Sequence, residues 1–236
     1  MKIWHNNEIL DSEKKVIAAN DRGFTLGDGL FETVLARDSI PLRLSAHLNR
    51  LRKGSELINL KIGVTDKELT AAFSQVLDTN NLKSGVLRLT ASRGTSARGL
   101  LPTYKDNSNL VITVSEVPKI SDPANAVIAT SFRKDELSPL SKCKSLSYLG
   151  YIVARQEAED RGANEALLLN TQNRLAEATT SNIFLVFGNR TFTPPVSDGA
   201  LPGTLRGEIL SKHGAEEKML TISALSQASE GFLTNS

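Results

Sequence analysis

Ala176-Glu177-Ala178-Thr179-Thr180-Ser181-Asn182-Ile183-Phe184 begins small and hydroxyl-rich and ends apolar. The apolar part continues to Phe187, so Asn182–Phe187 reads as a strand. Before it, Ala166–Leu169 is a second short apolar run with the length of a strand. Earlier still, Leu146, Leu149, Ile152, Val153 and Gln156 recur at helical spacing, and Gly162 ends that helix. Ala126–Thr130 reads as another strand. On the far side, Gly203 precedes a short helix through about Lys212. Strands and helices mix without strict βαβ alternation, which selects an α+β class.

The upstream half has the same mixed character. Met1–Trp4 and Ile9-Leu10, joined by His5–Asn7, read as a hairpin. Leu30–Leu35 is an apolar run that Ser39-Ile40-Pro41 turns back. Ser45 is the expected N-cap of a helix carrying Leu48, Leu51, Ser55 and Ile58. Thr65 with Glu68 forms a capping box for a second helix through Leu77. Val86–Thr90 and Leu110–Val114 read as strands, separated by the long Gly/Arg/Pro loop 93–109. Loops of that length in compact domains are usually functional or disordered. The stretch from Val117 to Pro123 carries two prolines near mid-chain. The expected division is a lobe over 1–117, a linker over 118–124 and a second lobe over 125–236.

Composition narrows the function. At 236 residues the chain has room for two modest lobes. Lys and Arg number 28 against 26 Asp and Glu, a balance that argues against a nucleic-acid binder. Cys143 is the single cysteine, which excludes an internal disulfide and a cysteine-built zinc cage. His5, His47 and His213 are far apart, so no metal site is expected. No apolar run approaches the ~20 residues of a membrane span, and no leader stands at the N-terminus; a cytoplasmic protein without a membrane partner is expected. Gly27-Asp28-Gly29 starts like a dinucleotide fingerprint, but Glu32 occupies the place of the third glycine.

Four segments carry the chemistry: Asp21–Thr33; His47-Leu48-Asn49-Arg50-Leu51; Lys144-Ser145-Leu146-Ser147-Tyr148-Leu149; and Glu165–Arg206 with its Glu-x-x-x-Ser-Asn-x-Phe and Leu-x-Gly-x-x-Arg patterns. Together and in this order they resemble the class IV, fold-type IV, pyridoxal-phosphate enzymes. That family includes branched-chain aminotransferases, D-amino-acid aminotransferases and aminodeoxychorismate lyases. The resemblance covers nearly the whole chain. It implies two lobes, a smaller N-terminal α/β sandwich and a larger, mixed α/β, barrel-like C-terminal lobe. It also implies pyridoxal 5'-phosphate as cofactor and a homodimer.

The resemblance assigns roles residue by residue. Lys144 would hold the cofactor as an aldimine and move protons at the substrate carbon; alone it would be a surface lysine like Lys142. Glu177 would face the pyridine nitrogen and keep it protonated. Arg50, in the His-x-x-Arg-Leu pattern, would bind the phosphate with the helix opening at Gly203-Thr204-Leu205. The family order there is Gly-Ile-Thr-Arg, whereas this chain has Gly-Thr-Leu-Arg, which displaces the threonine hydroxyl by one residue. Leu201 would pack on the ring face, Tyr148 would bond the cofactor's 3′-oxygen, and Ser236 would give a last hydroxyl to the phosphate. Relatives continue beyond the segment that matches Phe232–Ser236, so the second lobe is expected to lack its usual C-terminal end.

For the substrate, Phe31 and Leu100 stand where D-amino-acid aminotransferases carry tyrosine and histidine. Val86 stands where branched-chain aminotransferases carry a tyrosine, two residues before Arg88. The loop Arg93-Gly94-Thr95-Ser96-Ala97-Arg98-Gly99 most resembles the aminodeoxychorismate lyases. Arg93 and Arg98, with Phe31, are the expected substrate contacts, because guanidinium groups bind carboxylates bidentately. The implied reaction is conversion of 4-amino-4-deoxychorismate to 4-aminobenzoate and pyruvate. The alternative is an aminotransferase for D- or branched-chain amino acids.

Overall fold

The computed structural model describes residues 1–102, 108–118 and 125–236. The chain divides into two compact units, Met1–Lys119 with Cys143–Ser147, and Ile120–Lys142 with Tyr148–Ser236. Most of the expected linker, 119–124, lies outside the described residues.

In the first unit the elements run β1 (Lys2–His5), β2 (Glu8–Asp11), α1 (Arg22–Leu26), β3 (Gly29–Arg37), β4 (Ile40–Pro41), α2 (Leu44–Leu57), α3 (Asp66–Thr79), β5 (Gly85–Ser92) and β6 (Asn109–Ser115). The β1–β2 hairpin turns through Asn6 and Asn7 at φ 44° and 75°, values that asparagine tolerates better than most residues. The six strands form one sheet in the order β2-β1-β6-β5-β3-β4, with every neighbouring pair antiparallel. Strand alternation sorts the two faces. Leu87, Leu89 and Ala91 of β5 and Leu30, Val34 and Ala36 of β3 point into a core filled by Leu48 and Leu51 of α2 and Leu69, Phe73, Val76 and Leu77 of α3. Phe31, Thr33, Arg88 and Thr90 alternate with those core positions and so belong to the opposite face.

The two helices begin differently. Thr65 and Glu68 make the full capping box read from the sequence. Ser45 does not cap α2: the N-cap is Arg43, in the left-handed region at φ 54°, and no side chain bonds the first turn. Ser45 therefore lies inside the helix.

The second unit contains β7 (Ala126–Ile128), α4 (Leu149–Asp160), β8 (Glu165–Leu169), β9 (Leu175–Ala178), β10 (Asn182–Phe187), β11 (Arg190–Thr193), α5 (Thr204–Lys212), β12 (Glu216–Glu217), α6 (Ile222–Gln227) and β13 (Glu230–Thr234). Its strands make two sheets, β7-β8-β9 and β12-β11-β10-β13. Every residue of β8 is buried because both of its faces are covered. Ala166 and Leu168 meet Ala154 and Ala158 of α4, while Leu167 and Leu169 join Leu175, Ile183, Leu185 and Phe192.

The segment 143–147 departs from the expectation. The expected division puts Lys144 in the second lobe, just before a helix that would include Leu146. Instead α4 starts at Leu149, and the chain before it pairs with β3. Leu30 and Ser145 form an antiparallel bridge. The Phe31 N–H donates to the Lys144 carbonyl, and the Leu146 N–H to the Gly29 carbonyl, each at 2.9 Å. Gly29 permits this approach: a Cβ there would run into the Ala91 carbonyl oxygen and come within 2.7 Å of Leu146 Cδ1. Gly29→Ala is expected to destabilise the protein by about 1–3 kcal/mol through overpacking, seen as a lower urea midpoint at unchanged m-value.

Candidate active site

Pairing with β3 sets Lys144 over the face opposite the core. Its Nζ lies 4.5 Å from the centroid of the Phe31 ring. The Arg88 guanidinium sits 3.7 Å from the same centroid, as the cross-strand register Thr33↔Arg88 and Phe31↔Thr90 allows. Lys144 is half-buried, whereas Lys142, in a 3₁₀ turn over Pro139–Lys142, is exposed. Arg88 was not among the expected contacts; its outward place between Leu87 and Leu89 was the available signal.

Arg50 occupies the other side of β3. Its spacing from His47, three residues along α2, puts both on one helix face, where they grip Glu32. Arg50 Nε and Nη2 donate to Glu32 Oε1 and Oε2 at 2.8 and 2.6 Å, and His47 Nδ1 lies 2.7 Å from Oε2. All three side chains are buried. Burial alone would raise the Glu32 carboxyl, but the bonds from Arg50 and His47 outweigh it and hold the group below the usual carboxylate range.

Arg93 and Arg98, expected to act as a pair, are separated in role. Arg93 is buried, with Nε on Asp28 Oδ2 at 2.8 Å, Nη1 on the Asn59 carbonyl and Nη2 on the Ile58 carbonyl. The guanidinium is committed to tying the β5 end to the α2 terminus, so the structure gives Arg93 a scaffolding position instead of a substrate-facing one. Arg22 clasps the same Asp28 oxygen at 2.7 Å. Burial pushes the Asp28 carboxyl up, but the two arginines hold it lower than usual. Arg98 is exposed and lines a cleft of about 460 Å³ with Arg22, Thr25, Leu26, Ser96 and Leu100.

In the second unit Glu177, on β9, is 4% exposed and fully engaged on one side. Lys134 Nζ lies 2.9 Å from Oε1, and the Tyr151 hydroxyl donates to the same oxygen at 3.0 Å. The Leu201 N–H donates to Oε2 at 2.8 Å. Tyr148 precedes α4 and stacks on Tyr151, with centroids 4.5 Å apart. Neither Lys134 nor Tyr151 was singled out from the sequence, because nothing local to either residue distinguishes it there. Leu201 is half-buried, and its carbonyl accepts from Asn182 Nδ2 at 2.9 Å. Gly203 caps α5 without any side-chain bond to the helix, and a Cβ on it would run into Asn182 Oδ1. Thr204 and Leu205 open the helix, half-buried. Pairing of β13 with β10, Asn182 opposite Thr234, returns the chain to this region, and Asn235 Nδ2 reaches Ser181 Oγ at 3.1 Å. Ser236 follows, half-buried.

This residue set suits a phosphorylated aromatic cofactor. Glu177 has one acceptor position left on Oε2. The α5 helix opens with backbone donors and no capping side chain, which suits an anion. Thr234 Oγ1 is buried with no partner among the described residues. None of the helices among those residues is long and apolar enough to cross a membrane.

Residues 29–236 match the amino-transferase class IV family. A Methanocaldococcus jannaschii protein provisionally named a branched-chain-amino-acid aminotransferase is 31% identical over 99% of this chain and 84% of its own. The D-alanine aminotransferase of Bacillus licheniformis is 28% identical over 100% of this chain and 84% of its own. A solved Legionella pneumophila structure, provisionally named a 4-amino-4-deoxychorismate lyase, superposes with a TM-score of 0.89 at 30% identity, covering 95% of this chain and 85% of that one. The chain belongs to the class IV aminotransferase family, whose members use pyridoxal 5'-phosphate. It is a pyridoxal-phosphate-dependent enzyme, an aminotransferase or a lyase.

The buried Glu32 cluster makes stability pH-dependent. Its carboxyl titrates lower in the folded chain than in the unfolded one. The stabilisation is therefore complete above the ordinary carboxylate value of about 4.3 and is lost as pH falls through the folded value. Glu32→Gln is expected to cost about 3–5 kcal/mol at neutral pH, as removal of one partner from a buried pair does. Denaturant unfolding across the acid range should show wild type and variant converging as pH falls.

Proposed function

We propose that the protein is a lyase that converts 4-amino-4-deoxychorismate to 4-aminobenzoate and pyruvate. The observation that carries the reading is the gathering of the Lys144 amine and the Arg88 guanidinium over one ring, Phe31. An amine beside a carboxylate-binding group suits a substrate that carries an amino group and carboxylates. The Arg93–Gly99 loop supports the lyase over an aminotransferase, as do Phe31, Leu100 and Val86 at positions where aminotransferases carry other residues. With Arg93 held in the scaffold, the carboxylate-facing work falls to Arg88 and Arg98.

Pyridoxal phosphate, when bound, would supply an electron sink for the pair left at the substrate carbon. Lys144 is the base that takes the proton from the substrate's amine-bearing ring carbon. The carbon–oxygen bond to the enolpyruvyl group then breaks; the departing enol gains a proton and leaves as pyruvate, and the carbocycle becomes aromatic. Glu177 would hold a proton at the cofactor's ring nitrogen. The resemblance assigns the phosphate to Arg50, to the α5 N-terminus at Thr204 and Leu205, and to Ser236, which would hold it by charge and by hydrogen-bond donors; for Arg50 this would come beside its grip on Glu32. Leu201 would pack on the ring, and Tyr148 would bond its 3′-oxygen.

An aminotransferase for D- or branched-chain amino acids is the second reading, favoured by the names of the two curated relatives above. The purified holoenzyme is expected to release pyruvate from 4-amino-4-deoxychorismate and to transfer no amino group from D-alanine or leucine to 2-oxoglutarate. The opposite pattern would replace the lyase by the aminotransferase. Lys144→Ala should abolish turnover and the near-visible absorbance of the lysine-bound cofactor, and turnover retained by that variant would remove Lys144 from its role.

A further inference from the structure

The Glu177 carboxylate has roughly four lone-pair positions, and three are filled from within the second unit. Lys134 and Tyr151 take both positions on Oε1, and the Leu201 N–H takes one on Oε2. The remaining position is on Oε2, so a further partner must approach there. Lys134 is also held from behind. Its N–H donates to the Leu169 carbonyl at 2.9 Å, it bridges Asn170 in parallel, and its Nζ donates to the Tyr151 hydroxyl. The helical ring of Tyr151 and the ammonium of Lys134 therefore form a fixed bracket, with lysine and glutamate each about 4% exposed. An ion pair so thoroughly removed from water is costly to build, and the proposed chemistry assigns Lys134 no step.

We propose that Lys134 and Tyr151 are positioning residues that bias the proton shared between Glu177 and the cofactor's ring nitrogen toward the nitrogen. This rests on the reading of Glu177 as the partner of that nitrogen. The argument is electrostatic. The shared proton can reside on the carboxylate or on the ring. A cation and a hydroxyl donor on Oε1 stabilise the anionic carboxylate more than the neutral acid, since they stand closer to Oε1 than to anything bonded at Oε2. The proton is thereby displaced to the ring, where it makes the cofactor an effective electron acceptor. Without Lys134 the carboxylate loses its counter-charge on Oε1, and the bias that displaces the shared proton to the ring is lost. Tyr151 also stacks on Tyr148, so the bracket orients the aromatic side chain assigned to the 3′-oxygen.

The ¹⁵N chemical shift of cofactor labelled at the ring nitrogen reports where the proton sits, and a purely structural lysine would not move it. In the wild-type holoenzyme the signal is expected at the protonated position. Lys134→Met should move it toward the unprotonated position, Lys134→Arg should restore it, and Tyr151→Phe should give a smaller shift in the same direction. Glu177→Gln separates the two layers of the argument. If Glu177→Gln deprotonates the ring while Lys134→Met leaves the signal in place, the bracket is structural and the proposal falls, with the Glu177 reading intact. If Glu177→Gln leaves the signal unchanged, the reading of Glu177 fails and takes the proposal with it. Should Lys134→Met fail to fold, Tyr151→Phe and Lys134→Arg decide: a graded shift in the first with none in the second supports the bracket, and no shift in either overturns it.

Discussion

Two main-chain hydrogen bonds, from Phe31 to the Lys144 carbonyl and from Leu146 to the Gly29 carbonyl, tie a segment from mid-chain to strand β3. The position of Lys144 depends on that attachment. It places Lys144 on the sheet face that carries Phe31 and Arg88, away from the helices. It also explains why a glycine opens β3, since any side chain there would occupy the space of the Ala91 carbonyl and Leu146. Because β3 is nine residues long and fully paired with β5 over Gly29–Ala36, the lysine is mounted on a rigid element.

The same strand separates two kinds of charge. Glu32 points toward the helices, where Arg50 and His47 hold it in a buried cluster. Its neighbour Phe31 points the other way and meets cations with its ring face. One residue of strand register thus divides a buried ion cluster from the face where Arg88 and Lys144 meet Phe31. In the second unit Glu177 follows a comparable pattern: its carboxylate is oriented by Lys134, Tyr151 and the Leu201 amide before anything else is bound. Both acidic groups are held by partners from other elements, so their orientation does not wait for a ligand.

Much of the scaffold was legible in the sequence where the signals are local. The Thr65–Glu68 capping box, the strand Asn182–Phe187 and the helix after Gly203 stand where their patterns put them. Ser45 misled because α2 opens from a left-handed arginine, a choice made by the β4–α2 turn and not by capping chemistry. Leu146 misled because its helical spacing with Leu149 competes with pairing to β3, a contact more than a hundred residues away in sequence. The site followed the same division. Lys144 and Glu177 stand out through motif order. The scaffolding position of Arg93 depends on Asp28, Ile58 and Asn59, all more than thirty residues distant. Lys134 is likewise an ordinary lysine until burial beside Glu177 distinguishes it.

The central claim is that Lys144, and no other lysine, carries the cofactor. Borohydride reduction of the holoenzyme followed by peptide mapping tests it directly, because reduction fixes the lysine–cofactor linkage irreversibly. The pyridoxyl label is expected on the peptide containing Lys144 alone. A label on Lys142 or Lys134, or no label on a protein that retains its yellow colour until reduction, would contradict the account.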